Sequence, residues 1–358
     1  MTCSRTVSVI VPTYNRAHYL GEAIASILNQ DIQGCQIEII VVDDGSTDET
    51  KEILRKFGDS VRYIYQDNHG VGAARNRGIN EATGEWVAFL DSDDRWLPDK
   101  LTLQFRALDT FPGYNAIHSE FQIFDETGTL TNKGLQSWVS DPSVWKNIIW
   151  DQIYSRRYES ADYGIYGAGV SFPIYTGNIF AAHLITNCIS NWTLLVRRGC
   201  LQKEVRFAEN FKINEDYWFS CLLTERCDVL FIDIATAENR GHSGPRISQA
   251  GYIEKFKTHL DICNNIYRPS QSVHRPSDQE IEKTYKLLNI MLFKKYLKEG
   301  MRSEARKTYD LIRMLNGPTE DRTYFFYLLT LLFPFDMVKY LIALKGFIKN
   351  RFKQIVFD

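Results

Sequence analysis

Val87-Ala-Phe-Leu-Asp-Ser-Asp-Asp94 decides the reading of this chain. An apolar run of the kind that forms a buried strand stops abruptly in the carboxylates Asp91, Asp93 and Asp94. In open α/β sheets ligands bind outside the C-terminal ends of the strands, so a strand that ends this way puts hard oxygen ligands at the binding edge. Carboxylates this close repel one another unless a cation or hydrogen-bond donors offset the charge. Taken alone, an Asp-x-Asp reads first as a solvated turn and helix cap. The surrounding sequence has to choose.

Upstream, short β-branched runs alternate with helical patterns. Val7–Val11 is a strand closed by Pro12, and Leu20, Ala23, Ile24, Ile27 and Leu28 then show helical spacing. Glu38–Val42 is a second strand, followed by Asp43-Asp-Gly-Ser46 and a helix through Ile53, Leu54 and Phe57. Ser46-Thr-Asp-Glu49 has the spacing of a capping box for that helix. Arg62–Gln66 reads as a third strand, Ala73–Ala82 as a helix and Trp86–Leu90 as a fourth strand. Such alternation with short connections implies a parallel sheet with right-handed crossovers. Gly70-Val-Gly72 lacks the third glycine of a dinucleotide fingerprint, and the first strand–helix turn carries no glycine.

Downstream, Pro98 fits the first turn of a helix reaching Leu108, and strands are expected around Ala116–Phe124. Residues 131–185 are rich in aromatics and glycine without a sustained period, the mark of a functional or mobile insertion. Asn191–Arg197 reads as a strand, a helix opens near Asn214, and Val229–Asp233 is a last strand. From Tyr252 the pattern is helical, which sets a boundary near residue 250.

The totals bound the function. A chain of 358 residues holds one large domain or two modest ones. A net charge of -2 gives no general electrostatic reason to expect nucleic acid as a partner. Seven cysteines without C-x-x-C spacing argue against a disulfide framework or a zinc site and suggest reduced thiols in a cytoplasmic protein. The chain enters a strand almost at once, so no signal peptide is expected. No run reaches the roughly 18 apolar residues of a membrane-spanning helix.

Val9-Ile-Val-Pro-Thr-Tyr-Asn-Arg16, Val41-Val-Asp-Asp-Gly-Ser-Thr-Asp48, Gly72-Ala-Ala-Arg-Asn-Arg-Gly78, Ala88-Phe-Leu-Asp-Ser-Asp-Asp94 and Asn214-Glu-Asp216, in that order, resemble the family-two glycosyltransferases of the bacterial cell-surface polysaccharide type. The resemblance is strong over residues 5–110, moderate over 185–250 and slight elsewhere. It implies a GT-A fold: a Rossmann-like, mostly parallel sheet flanked by helices. Residues 1–110 would form the nucleotide-sugar half, 111–250 the acceptor half and 251–358 a helical extension. The implied activity is inverting transfer of a sugar from a nucleotide-diphosphate donor, with a UDP-sugar the expected donor, to a saccharide or lipid-linked acceptor.

The resemblance also assigns residues. Pro12, Thr13, Tyr14, Asn15 and Arg16 would meet the nucleoside, with Tyr14 against a uracil face; a tyrosine there also serves simply to cap the sheet. Asp43 would accept from the base imide. Arg75 would lie close to the donor, the alternative being an arginine on an exposed helix face. Asp93 would ligate Mn²⁺ or Mg²⁺, with Asp91 nearer the ribose or a metal-bound water and Ser92 a donor contact; carboxylate oxygen suits either ion and phosphates complete the shell. Asp94 is open to capping the following turn. Asp216 would be the base that takes the acceptor proton, with Glu215 orienting the acceptor. Helix-start charge with Asn214 as cap is the competing reading of that pair, and Tyr217 and Trp218 read as packing. His242 is a second-rank metal candidate and Arg246 a contact to the diphosphate, unless that loop is plain surface.

Near the C-terminus, Lys339, Lys345, Lys349, Arg351 and Lys353 interleave with apolar residues. This suits either an interfacial basic helix at the inner face of the plasma membrane or a helix pair packed on the catalytic domain. Two other classes stand beside the transferase. A nucleotidyltransferase would usually carry a Gly-rich motif where Thr13-Tyr-Asn-Arg16 stands. A non-catalytic nucleotide-sugar-binding relative would be expected to have lost some of Asp43, Asp91, Asp93 and Asp216.

Overall fold

A computed structural model describes residues 5–139, 149–241 and 251–316. The chain divides into two compact units, Met1–Ile247 with Ser270–Pro276, and Ser248–Pro269 with Ser277–Asp358. The first unit is α/β. Its opening half runs β1 (Arg5–Thr13), α1 (Ala17–Leu28), β2 (Cys35–Asp44), α2 (Thr50–Arg55), β3 (Arg62–Gln66), α3 (Val71–Glu81) and β4 (Trp86–Phe89). After the acidic turn come β5 (Arg95–Trp96), α4 (Lys100–Thr110), β6 (Ala116–Asp125), β7 (Gly128–Thr131), α5 (Gly134–Val139), α6 (Trp150–Ile153), β8 (Arg156–Glu159), β9 (Pro173–Gly177), α7 (Phe180–His183), β10 (Leu195–Arg197), α8 (Glu215–Arg226) and β11 (Val229–Arg240).

These strands form one sheet in the order β3-β2-β1-β4-β10-β6-β11-β9-β8, with β5 on β11 and β7 on β6. The first four strands are parallel, as their helical crossovers require. The other half is mixed: β10 runs antiparallel to β4 and β6, while β11 runs parallel to β6. Register sets Thr13 beside Asp43, and Ile10 beside both Ile40 and Phe89. The ends of β1, β2 and β4 therefore open on a single edge.

Glycines set how closely α3 lies on this sheet. A Cβ on Gly78 would come within 2.3 Å of Ile10 Cγ2, and one on Gly72 within 2.8 Å of the Ala208 carbonyl oxygen. The glycines that flank Arg75 and Asn76 thus let the helix press onto β1 and let residues 207–209 cross its first turn.

Several sequence expectations need correction. Asn191–Thr193 is a 3-10 turn and only Leu195–Arg197 is strand. β11 runs seven residues beyond Asp233, to Arg240. The capping box is not formed. α2 begins at Thr50, so Asp48 and not Ser46 takes the Thr50 amide, at 3.1 Å, while Ser46 Oγ accepts the Asn15 amide at 2.9 Å. The described residues among 131–185, without a period in sequence, form short helices and strands.

The second unit is helical: α9 (Tyr252–Ile262), a π-turn at Cys263–Tyr267, α10 (Asp278–Glu299) and α11 (Arg302–Asn316). α10 starts in a complete capping box, Ser277 with Glu280, and stops at Gly300, whose φ is 83°. Among the described residues no helix is long and apolar enough to cross a membrane, and the six described cysteines are free thiols. The basic segment Lys339–Lys353 lies outside the described residues.

Candidate active site

Loops at the ends of β1 and β2 make one wall. Pro12 and Thr13 are buried in the strand end, whereas Tyr14 is 49% exposed. Asn15 adopts φ 50°, and its Oδ1 accepts the Thr47 amide at 2.8 Å. Together with the Asn15–Ser46 bond this staples the two loops. Asp43 is buried, with Oδ1 accepting the Ser46 amide at 2.8 Å and Oδ2 the Tyr63 hydroxyl at 2.9 Å. Asp44, a residue without an assigned role in the motif, accepts from the His69 and Gly70 amides at 2.9 and 2.8 Å and from Gln66 Nε2 at 2.7 Å. It thereby fixes the loop that launches α3.

Arg75 projects from α3 into the centre, and it is buried. One guanidinium nitrogen donates to Asp91 Oδ1 at 2.7 Å and the other to Glu215 Oε1 at 2.7 Å. Those two carboxylates keep it charged in spite of burial. The exposed-helix alternative for Arg75 is therefore excluded. The same bridge joins the acidic turn to the N-terminus of α8.

Asp216 lies next to that bridge. Its Oδ1 accepts its neighbour's amide, Tyr217 N–H, at 2.7 Å, and its Oδ2 accepts from Asn187 Nδ2 at 3.3 Å. The Asn187 amide is oriented by the Ile189 N–H, which donates to its Oδ1 at 3.2 Å. Burial and the Glu215 charge push the Asp216 carboxyl up to about 7, partly offset by Arg75. Asn214 stands at the helix start in the left-handed region, φ 63°, and makes no side-chain capping bond. Tyr217 is buried, and its hydroxyl donates to the His183 carbonyl.

Within the acidic turn the three aspartates differ. Asp91 and Asp93 side chains are 26% and 24% exposed, and Asp93 Oδ2 lies 3.7 Å from Arg16 Nε. Ser92 is buried between them. Asp94 is buried too, and accepts the Arg240 amide at 2.9 Å and Asn239 Nδ2 at 3.1 Å. It anchors the turn to the end of β11. Burial, with Asp93 and Asp91 nearby, raises its carboxyl well above the usual range. His242 and Arg246 lie outside the described residues.

On the other flank, Lys100 Nζ and Gln104 Nε2 of α4 both donate to the Thr193 carbonyl, at 2.9 and 2.7 Å. Trp96 Nε1 donates to the Trp192 carbonyl at 2.9 Å. The turn Asn191–Thr193 is thus held against the segment that follows the aspartates. Sequence reasoning assigns Asp44 and Asn187 no role and reads this turn as strand, because each acts through a partner distant in the chain.

Asp91 and Asp93 fit a hard divalent cation: they are oxygen donors, partly accessible, at a sheet edge. Among the described residues no group of three or more His, Cys, Asp or Glu side chains is arranged to hold a metal. A cation here would need further oxygens, such as those of a diphosphate.

Comparisons with known proteins follow the same lines. Residues 8–175 match the family model described as Glycosyl transferase family 2. An uncharacterized glycosyltransferase of Rickettsia typhi is 33% identical over 224 residues, which cover 62% of this chain and 60% of that protein. One of Rickettsia felis is 29% identical over 282 residues, 77% of this chain and 40% of that protein. The chain thus spans less than two thirds of the length of these relatives. Among solved structures, S. aureus TarS residues 1-349 in complex with UDP-GlcNAc superposes with a TM-score of 0.58 at 18% identity, over 89% of this chain and 82% of that one, a likeness of fold.

Proposed function

We propose, for a chain that belongs to the family-2 glycosyltransferases, that it transfers a sugar with inversion from a nucleoside-diphosphate donor to an acceptor hydroxyl. The donor is a UDP-sugar and the acceptor a saccharide or lipid-linked saccharide. The carrying observation is the Arg75 bridge, Asp91 on one side and Glu215 on the other at 2.7 Å each. It brings the carboxylates that end β4 to the helix that presents Asp216.

Asp93, with Asp91, would hold Mn²⁺ or Mg²⁺; when bound, such an ion offsets the negative charge of the diphosphate and of the departing oxygen. The remaining steps belong to the chain. The β1 and β2 loops seat the nucleoside, with Tyr14 exposed to stack and Asp43 at the strand end to select the base. Asp216 takes the acceptor proton as that oxygen attacks the anomeric carbon. The bond from the anomeric carbon to the diphosphate breaks, and its electron pair leaves with the nucleoside diphosphate. Glu215, paired with Arg75, fixes the guanidinium and the helix start; it acts on the acceptor only through them.

Asp216→Asn tests the assignment. Donor binding, followed by calorimetry with UDP-sugars and Mn²⁺, should persist within about threefold while turnover falls at least 10²-fold, the range expected for loss of a general base. Turnover left intact would remove Asp216 from the mechanism. Absence of transfer in the wild type, with donor binding preserved, would favour a non-catalytic binding relative.

A further inference from the structure

Beside the carboxylate site, on the β6 side of the sheet edge, lies an aromatic triad. The registers Leu195↔Ala88 and Leu195↔Ile117 carry the turn Asn191–Thr193 past the end of β4, which continues into Asp91, and alongside β6 in the direction of Glu120 and Phe121. Phe121, Trp192 and Trp138 meet there edge to face, with ring centroids 4.9 to 5.5 Å apart. Phe121 and Trp192 are buried, but Trp138 on α5 is 47% exposed. In the same cluster Trp192 Nε1 is buried with no hydrogen-bond partner among the described residues, an unmet donor of the kind a hydroxyl satisfies.

The chain places this short helix with care. A Cβ on Gly134 would sit 2.2 Å from the Phe121 ring, so α5 can rest on that ring only with glycine. The buried Glu120 carboxylate accepts the Leu135 and Gln136 amides at 2.9 Å each. Lys133, just before the helix, pairs with Asp233 on β11. A buried carboxylate is a costly way to hold six residues if they only cover core. It is economical if one of them must be positioned.

We propose that Trp138, backed by Phe121 and Trp192, is the stacking platform for a pyranose ring of the acceptor. This rests on the transferase reading of the neighbouring carboxylates. The indole face is apolar, flat and rigid, and it matches the C–H face of a pyranose. The polar rim of such a sugar needs hydrogen-bond partners of the sort the adjoining edge supplies.

The test uses the whole chain and methyl pyranosides of the gluco, galacto, manno and N-acetylglucosamino series, without donor, followed by saturation-transfer NMR and calorimetry. Wild type should bind at least one of them. Trp138→Leu, which keeps an apolar cover over Phe121, should weaken that binding at least tenfold, whereas Trp138→Phe should retain most of it. UDP-sugar binding should change less than twofold in both. Undiminished pyranoside binding in Trp138→Leu, or no pyranoside binding by wild type, overturns the platform. Pyranoside binding that needs Trp138, in a protein that never transfers sugar, would leave the platform standing and remove the transferase reading alone.

Discussion

Asp216 shows how one side chain acquires a chemical task from its surroundings. An aspartate in water is ionised far below neutrality. Here burial and the adjacent Glu215 raise its carboxyl to about 7, with Arg75 opposing. A base is useful only when deprotonated, so the rate of transfer should climb as pH rises through about 7 and level off above it. Glu215→Gln removes the neighbouring negative charge and releases Arg75 from one partner. Both changes favour ionised Asp216, so the acid limb of the log kcat profile should move to lower pH. An unmoved limb in Glu215→Gln would assign the titration to another group. That Asp216 occupies a helix start was legible in Asn214-Glu-Asp216; its contact to Asn187 was not, since 29 residues separate the pair.

α3 is the element on which the site depends, because it carries Arg75 one turn before Gly78. Alanine is a better helix former than glycine by about 1 kcal/mol, so propensity alone favours Gly78→Ala. Packing opposes it: the new methyl would meet Ile10 Cγ2 at 2.3 Å, in the fully buried part of β1. Overpacking of this kind costs about 1–3 kcal/mol. We expect a net loss of stability in urea unfolding together with weaker donor binding. Ile10→Ala in the same chain should relieve the clash, giving a double mutant less destabilised than the sum of the singles. Strict additivity would show that α3 does not rest on β1 through this contact. Elements of this kind were legible because their cause is local: β-branched runs, helical spacing, and Gly72 and Gly78 about Arg75. The failures came where a distant partner decides. The 3-10 turn Asn191–Thr193 is pinned by Lys100 and Gln104. Ser46 was drawn from its capping box to the Asn15 amide.

At the scale of the molecule, the first unit buries ionisable groups whose pH dependences oppose one another. His118 and His183 are held neutral by burial, His118 well below its ordinary range and His183 at about 3. The unfolded chain binds more protons than the folded one until its histidines titrate, so these groups make stability rise with pH up to about 7. Glu120 acts the other way. Desolvation lifts its carboxyl to about 7 against an ordinary 4.5, although the Gln136 and Leu135 amides pull it down. Its contribution is complete below about 4.5 and is lost as pH rises through about 7, on the order of 3 kcal/mol for a group so buried. The absolute pH profile therefore mixes two signs, and a difference between variants is the informative quantity. All seven tryptophans lie between residues 86 and 218, so tryptophan fluorescence in urea follows the first unit. Between pH 5 and 8, Glu120→Gln should gain stability relative to wild type, steadily through pH 7, because glutamine has no proton to lose. Parallel wild-type and Glu120→Gln profiles would mean that Glu120 is as readily ionised in the folded chain as in water, its desolvation fully offset by the Leu135 and Gln136 amides.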